Sequence, residues 1–120
     1  MEEKPLPSVV ESTSAILYFP FDAERLTGSA RAALDELLKY IRQAGNVAIS
    51  INGHADRVGA DDYNMTLSDR RARFVMKTLE ESGVPPEQME YFAFGETDPK
   101  VATEDNVAEP HNRRVEIFLE

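Results

Sequence analysis

Cysteine is absent from this chain and histidine occurs only twice. Those gaps exclude thiolate zinc sites and disulfide stapling, although they assign no compartment. Glycine is sparse as well: six residues, scattered, build no phosphate-cradling loop. No apolar run approaches the roughly 18 residues needed to cross a bilayer. Nor is there the apolar core of a signal peptide, so an exported form is expected to be a mature product or an excised domain. Positive charge is short: 13 Lys and Arg face 22 Asp and Glu, a net charge of −9. A phosphate backbone is repelled by such a chain, and the aromatic residues stand in strand-like runs without interleaved cations. Nucleic acid is therefore not an expected partner, and the domain itself is not expected to contact a membrane.

What remains is an ordinary soluble composition, with 42% hydrophobic and 29% charged residues over 120 positions, enough for one core. Residues 1–14 are charged, contain Pro5 and Pro7, and read as a flexible lead-in or linker end. The domain proper is expected over 15–120. Ala15 to Phe21 suits a short strand that Pro20 ends or confines to an edge. Thr27 or Ser29 then caps a helix whose apolar stripe is Ala30, Ala33, Leu34, Leu37, Leu38 and Ile41, stopped by Gly45. Val47, Ile49 and Ile51 alternate with Ala48, Ser50 and Asn52 as a half-buried strand. Thr66 followed by Asp69 has the spacing of a capping box, opening a second helix with Leu67, Ala72, Val75, Met76 and Leu79 inward. Gly83 and Pro85-Pro86 close it. Two further alternating runs, Met89 to Phe94 and Arg114 to Leu119, flank a polar stretch from Glu96 to His111. So long a stretch without periodicity is expected to be mobile or ligand-adjacent. The order β-α-β-α-β-β predicts an α+β two-layer sandwich, with both helices on one face of a mixed four-stranded sheet.

The most informative interval runs from Asp56 to Arg71. A strand ends in a Gly-containing turn that carries one carboxylate, and a helix with a guanidinium in its early turns follows. The two can meet at one mouth. A ligand bearing an ammonium and a carboxylate on one carbon suits both, which points to binding an amino acid without chemistry. The plainer reading is a structural ion pair between Asp56 and Arg71. Other signals lead nowhere. Asp56, Asp61 and Asp62 lack the EF-hand pattern, and neither His54 nor His111 has a partner at metal-ligand spacing. Ser68 has no evident activating histidine, so no catalytic residue, metal or cofactor is expected.

Gly53-His54-Ala55-Asp56-Arg57-Val58-Gly59, Tyr63-Asn64, Leu67-Ser68 with Arg71-Ala72, and Asn112-Arg113-Arg114-Val115 together resemble the signature of the OmpA-like domain. That domain ends outer membrane protein A, peptidoglycan-associated lipoprotein and the stator protein MotB. The likeness spans roughly Ile16 to Leu119. It implies non-covalent binding of peptidoglycan through the meso-diaminopimelate of its stem peptide, in the periplasm of a diderm bacterium. It also implies tethering to the outer membrane or envelope through parts outside this chain, with a homo-oligomer possible through the parent protein. By the same resemblance Asp56 accepts from the diaminopimelate ammonium and Arg71 holds its carboxylate as a planar fork. Ala55 stands where many relatives have Thr. Around the pair, Asn64 is read as ordering the turn or capping the helix, and Leu67 as pocket floor or core. Asp22 is read as a turn residue or a rim acceptor. Arg114, near the site in the family, is expected to orient Asp56, whereas Arg57, Arg70, Arg73 and Arg113 are read as solvated or surface-paired charges. Two other classes stand beside this reading: an assembly domain of the same fold that binds protein partners, and a small enzyme using Arg71 and Asn64 on an anionic substrate. The last lacks a convincing base or nucleophile.

Overall fold

In the computed structural model, residues 6–21, 23 and 25–120 are described. Five strands and two helices form the expected α+β sandwich. The strands are β1 (Val9–Glu11), β2 (Ser14–Tyr18), β3 (Ile49–Gly53), β4 (Met89–Ala93) and β5 (Arg114–Leu119), and the helices are α1 (Gly28–Ala44) and α2 (Asp61–Glu81). Their order across the sheet is β1-β2-β5-β3-β4. All neighbours are antiparallel except β3 and β4, which run parallel across the α2 crossover.

The expected strand count of four is one short. Val9–Glu11, placed in the lead-in by its polar surroundings, pairs with β2 through Val10 opposite Ala15. Three residues are too few for period-two alternation to show in a sequence, yet Val10 packs against the core.

Helix α1 buries the six residues of its predicted stripe. Thr27 caps it by accepting a hydrogen bond from the Ala30 amide at 3.1 Å, and Gly45 ends it with a φ of 74°. Helix α2 starts five residues before the predicted capping box. Its N-cap is Ala60, and Asp61 and Asp62 sit in its first turn, where the helix dipole favours carboxylates. The Thr66 hydroxyl instead bonds back to the Asp62 carbonyl inside the helix at 3.0 Å. Both helices cover the sheet face formed by Ala15, Leu17, Ile49, Ile51, Val115 and Ile117, all buried in one core cluster.

Strand β3 and helix α2 approach closely at one point. A Cβ on Gly53 would lie 2.0 Å from the Ser68 carbonyl oxygen, well inside contact distance with a backbone atom that has no rotamer to change. Gly53 therefore allows α2 to settle against the end of the strand. Gly53→Ala is expected to destabilise the fold by about 3 kcal/mol, as overpacking against backbone does. Chemical denaturation at constant slope measures it.

Candidate functional site

The Gly53 strand end, the turn after it, the first turns of α2 and the turn before β5 converge on one cavity. It measures about 230 Å³ and is lined by Phe21, Asp56, Val58, Gly59, Tyr63, Asn64, Leu67, Arg71 and Arg113. That is below the roughly 300–1,000 Å³ of sites that enclose drug-sized ligands, and suits an amino-acid head with a few methylenes. Asp56, Asn64, Leu67 and Arg71 thus come together as the sequence suggested. Asp22 lies outside the described residues.

Asp56 is only 4% exposed. Its Oδ1 accepts from the Val58 amide at 3.2 Å, closing an Asx turn. Its Oδ2 accepts from the Glu109 amide at 3.3 Å and from the Arg113 guanidinium at 2.9 Å. Burial pushes the Asp56 carboxyl above the ordinary aspartate range, opposed by the Val58 and Glu109 amides and by the charge of Arg71. Arg71 is fully buried at the middle of α2 rather than in its early turns, because the helix begins five residues sooner than expected. Its Nε donates to the Ala23 carbonyl at 2.8 Å, its Nη1 to His54 O at 3.0 Å and its Nη2 to Pro20 O at 3.5 Å. The guanidinium also lies 5.1 Å from the Phe19 ring centroid, a cation–π stack that fixes its plane. Asp56 takes its side-chain hydrogen bond from Arg113, while Arg71 acts on it through its charge.

The arginine that meets Asp56 is Arg113, not Arg114. Arg113 was expected at the surface but is 1% exposed, with its Nε donating to the Phe19 carbonyl at 3.1 Å. Strand alternation explains the exchange. Arg114 is the first residue of β5 and shares the outer sheet face with Glu116, which its Nε meets at 3.4 Å, while its Nη2 donates to the Asp98 carbonyl at 3.1 Å. Arg113 precedes the strand in a turn with φ −88° and ψ 82°, where alternation does not apply and the side chain turns back to the cavity. Beyond its place in the Asn112-Arg113-Arg114-Val115 motif, the sequence carries no signal that singles it out from Arg114.

Asn64 orders the turn, its amide donating to the Val58 carbonyl at 2.9 Å and to Glu96 Oε1 at 3.1 Å. Leu67 is 7% exposed and lines the cavity rather than joining the main core cluster. The 96–111 stretch is tied to the site. Arg57 pairs with Glu96 at 3.0 Å and with Asp105, and donates to the Thr103 carbonyl. Arg73 pairs on the surface with Asp69 at 3.2 Å, as expected of it.

A profile of the OmpA family matches residues 18–113. The chain belongs to the OmpA family. It is 37% identical over 100 residues to a peptidoglycan-associated lipoprotein of Pseudomonas putida, a match covering 83% of this chain and 60% of that protein. It is 36% identical over 110 residues to an outer membrane protein of Gluconacetobacter diazotrophicus, covering 87% of this chain and 29% of the relative. This OmpA-like chain thus spans less than two thirds of either relative. Among solved structures, the peptidoglycan-associated lipoprotein of Burkholderia pseudomallei superposes with a TM-score of 0.79 at 28% identity, covering 88% of this chain and 89% of that one. The periplasmic domain of Helicobacter pylori MotB shares the fold, with a TM-score of 0.73 at 24% identity over 96% of this chain and 82% of that one. Among the described residues no helix is long and apolar enough to cross a membrane.

Behind the turn, on the outer sheet face, His54 stacks on Phe94 with centroids 5.1 Å apart, and its Nε2 lies 3.1 Å from Glu116. Contact with His54 at 3.1 Å, against the opposing effect of burial and helped by the charge of Arg114, holds Glu116 down to about 2 from 4.5. A carboxylate depressed on folding adds stability that is fully present above pH 4.5 and lost as pH falls towards 2. With the side chain 21% exposed, the contribution is about 2 kcal/mol after solvent screening. Glu116→Gln is expected to lower stability at neutral pH and to flatten the acid limb between pH 4.5 and 2, read by denaturant unfolding across that range.

Proposed function

We propose that this domain binds peptidoglycan non-covalently by clasping the zwitterionic end of meso-diaminopimelate between Asp56 and Arg71, and so tethers an envelope protein to the cell wall in the periplasm. The observation that carries this reading is the shared cavity: a buried carboxylate and a buried guanidinium, each anchored separately, line one space of amino-acid size. A carboxylate offers about four acceptor directions. Three donors, two on Oδ2 and one on Oδ1, already use Asp56, so Oδ1 retains capacity for a ligand ammonium. Arg71, held in plane by carbonyls and by Phe19, presents its charge to the ligand carboxylate without a rotamer search. Arg113 keeps Asp56 oriented, and Tyr63 and Phe21 wall the opening. The relatives named for association with peptidoglycan support the same reading.

Each charge-assisted contact contributes about 1.5–3 kcal/mol, so one clasp is weak to moderate and many copies on a polymeric wall supply avidity. Asp56→Asn and Arg71→Met are expected to reduce co-sedimentation with isolated sacculi by about ten- to hundredfold in affinity while circular dichroism keeps the native signal. Muropeptides with lysine in place of diaminopimelate lack the second carboxylate and should compete poorly. Equal competition by both forms, or undiminished binding by Asp56→Asn, would overturn the assignment. A protein-binding assembly domain would show neither wall binding nor this discrimination.

Proton linkage gives a separate check. The ligand ammonium needs Asp56 ionised, and the carboxyl titrates above the ordinary 3.8 because it is buried. Affinity is therefore expected to fall with acidification at a pH higher than an exposed aspartate would dictate, with proton release on binding inside that window. Calorimetry in buffers of different ionisation enthalpy reads the released proton. Affinity flat with pH down to 3.8 would contradict it.

A further inference from the structure

One wall of the cavity is built from the end of β3, where the chain is softest. Gly53 must lack a side chain to admit α2, and glycine has the widest backbone freedom of any residue. His54 follows directly beyond the strand. Its carbonyl accepts from Arg71 Nη1 at 3.0 Å, so the peptide of residue 54 helps to set where the guanidinium stands. Its ring goes the other way, to the outer sheet face, and is 1% exposed. There it lies within 8° of parallel to the Phe94 ring, with centroids 5.1 Å apart, and its Nε2 is 3.1 Å from Glu116. Arg114 completes the group: its Nε stands 3.4 Å from Glu116, and its carbonyl accepts from the His54 amide at 2.8 Å. None of these four side chains lines the cavity.

From this arrangement we infer that His54 is a positioning residue for Arg71, a role that rests on Arg71 holding the ligand carboxylate. The ring, held by Phe94 and Glu116 on the outer face, fixes the carbonyl that orients the guanidinium on the inner face. The peptide joining residues 54 and 55 is suspended between two partners: its N–H meets the Gly95 carbonyl at 2.8 Å, and its C=O meets Arg71. The N–H and C=O of one peptide point in nearly opposite directions, so these two bonds leave rotation about the line between them. The imidazole, carried on the adjoining Cα and buried on both sides, blocks that rotation. A guanidinium turned out of its plane keeps its charge but loses the paired geometry that reads a carboxylate. The outer group therefore acts on ligand preference without touching ligand.

The whole chain, labelled with nitrogen-15, tests this through the Nε–Hε resonance of Arg71, identified by its loss in Arg71→Met. His54→Ala removes the ring, Phe94→Ala removes its stacking partner, and His54→Phe keeps a stacked ring. Without ligand, both alanine variants are expected to shift the Arg71 resonance and speed its exchange with water, whereas His54→Phe stays close to the wild type. Affinity for diaminopimelate muropeptides should fall about fivefold in the alanine variants, the scale of one aromatic pair, and His54→Phe should recover most of it. The preference over lysine muropeptides should narrow in parallel. A residue that only stabilises the fold would lower the melting temperature and leave that preference and the resonance unchanged. Phe94 is half-buried and its removal leaves residue 54 intact, so it carries the test where His54→Ala does not fold. An unmoved Arg71 resonance, equal loss for both muropeptides, or His54→Phe as weak as His54→Ala would each overturn the proposal. Absence of any diaminopimelate preference in the wild type would instead sink the clasp itself; the resonance, read without ligand, still decides the positioning of Arg71.

Discussion

A missing Cβ sets the geometry on which the rest of the structure depends. At Gly53 the strand end and the α2 backbone come so close that any side chain would collide with the Ser68 carbonyl. Ser68 then stitches the same contact from the helix side, its hydroxyl accepting from the Gly95 amide at 2.9 Å. One turn further along the helix, Arg71 arrives within reach of the His54 carbonyl, directly after Gly53 in the chain. The glycine thus fixes where a guanidinium stands, and the charge placement follows from backbone proximity rather than from pairing with the opposing carboxylate.

The second constraint is electrostatic. A buried carboxylate costs several kcal/mol unless its lone pairs are met, and Asp56 meets the cost with two amides and Arg113. Those partners come from three remote parts of the chain: the turn itself, the end of the 96–111 stretch and the start of β5. The cavity is therefore a junction, and its acid is supported by segments that nothing but tertiary folding brings together. Arg57, gripping Glu96 and Asp105, and Gly59, whose amide donates to Asn106 at 3.1 Å, hold the long stretch over the turn. Asn106 takes a positive φ of 60° to do so, a conformation that asparagine tolerates better than most residues. Fastening of this kind gives a sixteen-residue segment without periodicity a reason to be ordered beside the site.

The parts of the molecule legible in its sequence are those ruled by periodicity. The α1 stripe appears residue for residue because a solvent-facing helix on a flat sheet has one buried face and clean 3.6 spacing. β3 and β5 read equally well by alternation. Helix α2 is harder, since its buried face includes Asn64, Ser68, Arg71 and Thr78, polar side chains that lower the apolar contrast. Its start was misplaced because Thr66 mimics a cap while the actual N-cap, Ala60, has no capping side chain. At three residues β1 is too short for alternation to reveal it. At the cavity, the family resemblance pointed to Asp56 and Arg71, which line it together, but alternation could not assign Arg113, which stands one residue outside the strand where the rule begins to apply. Partners contributed as backbone carbonyls, such as Pro20, Ala23 and Phe19, leave no trace in side-chain chemistry.

Helix α2 turns two of its arginines to faces directed away from each other. Consecutive residues on a helix are about 100° apart, so Arg71 and Arg73 diverge by about 200°. The first is immobilised inside, by carbonyls and an aromatic face; the second stands outside in a loose i,i+4 pair with Asp69. The packing that holds α2 against Gly53 is the packing that positions Arg71.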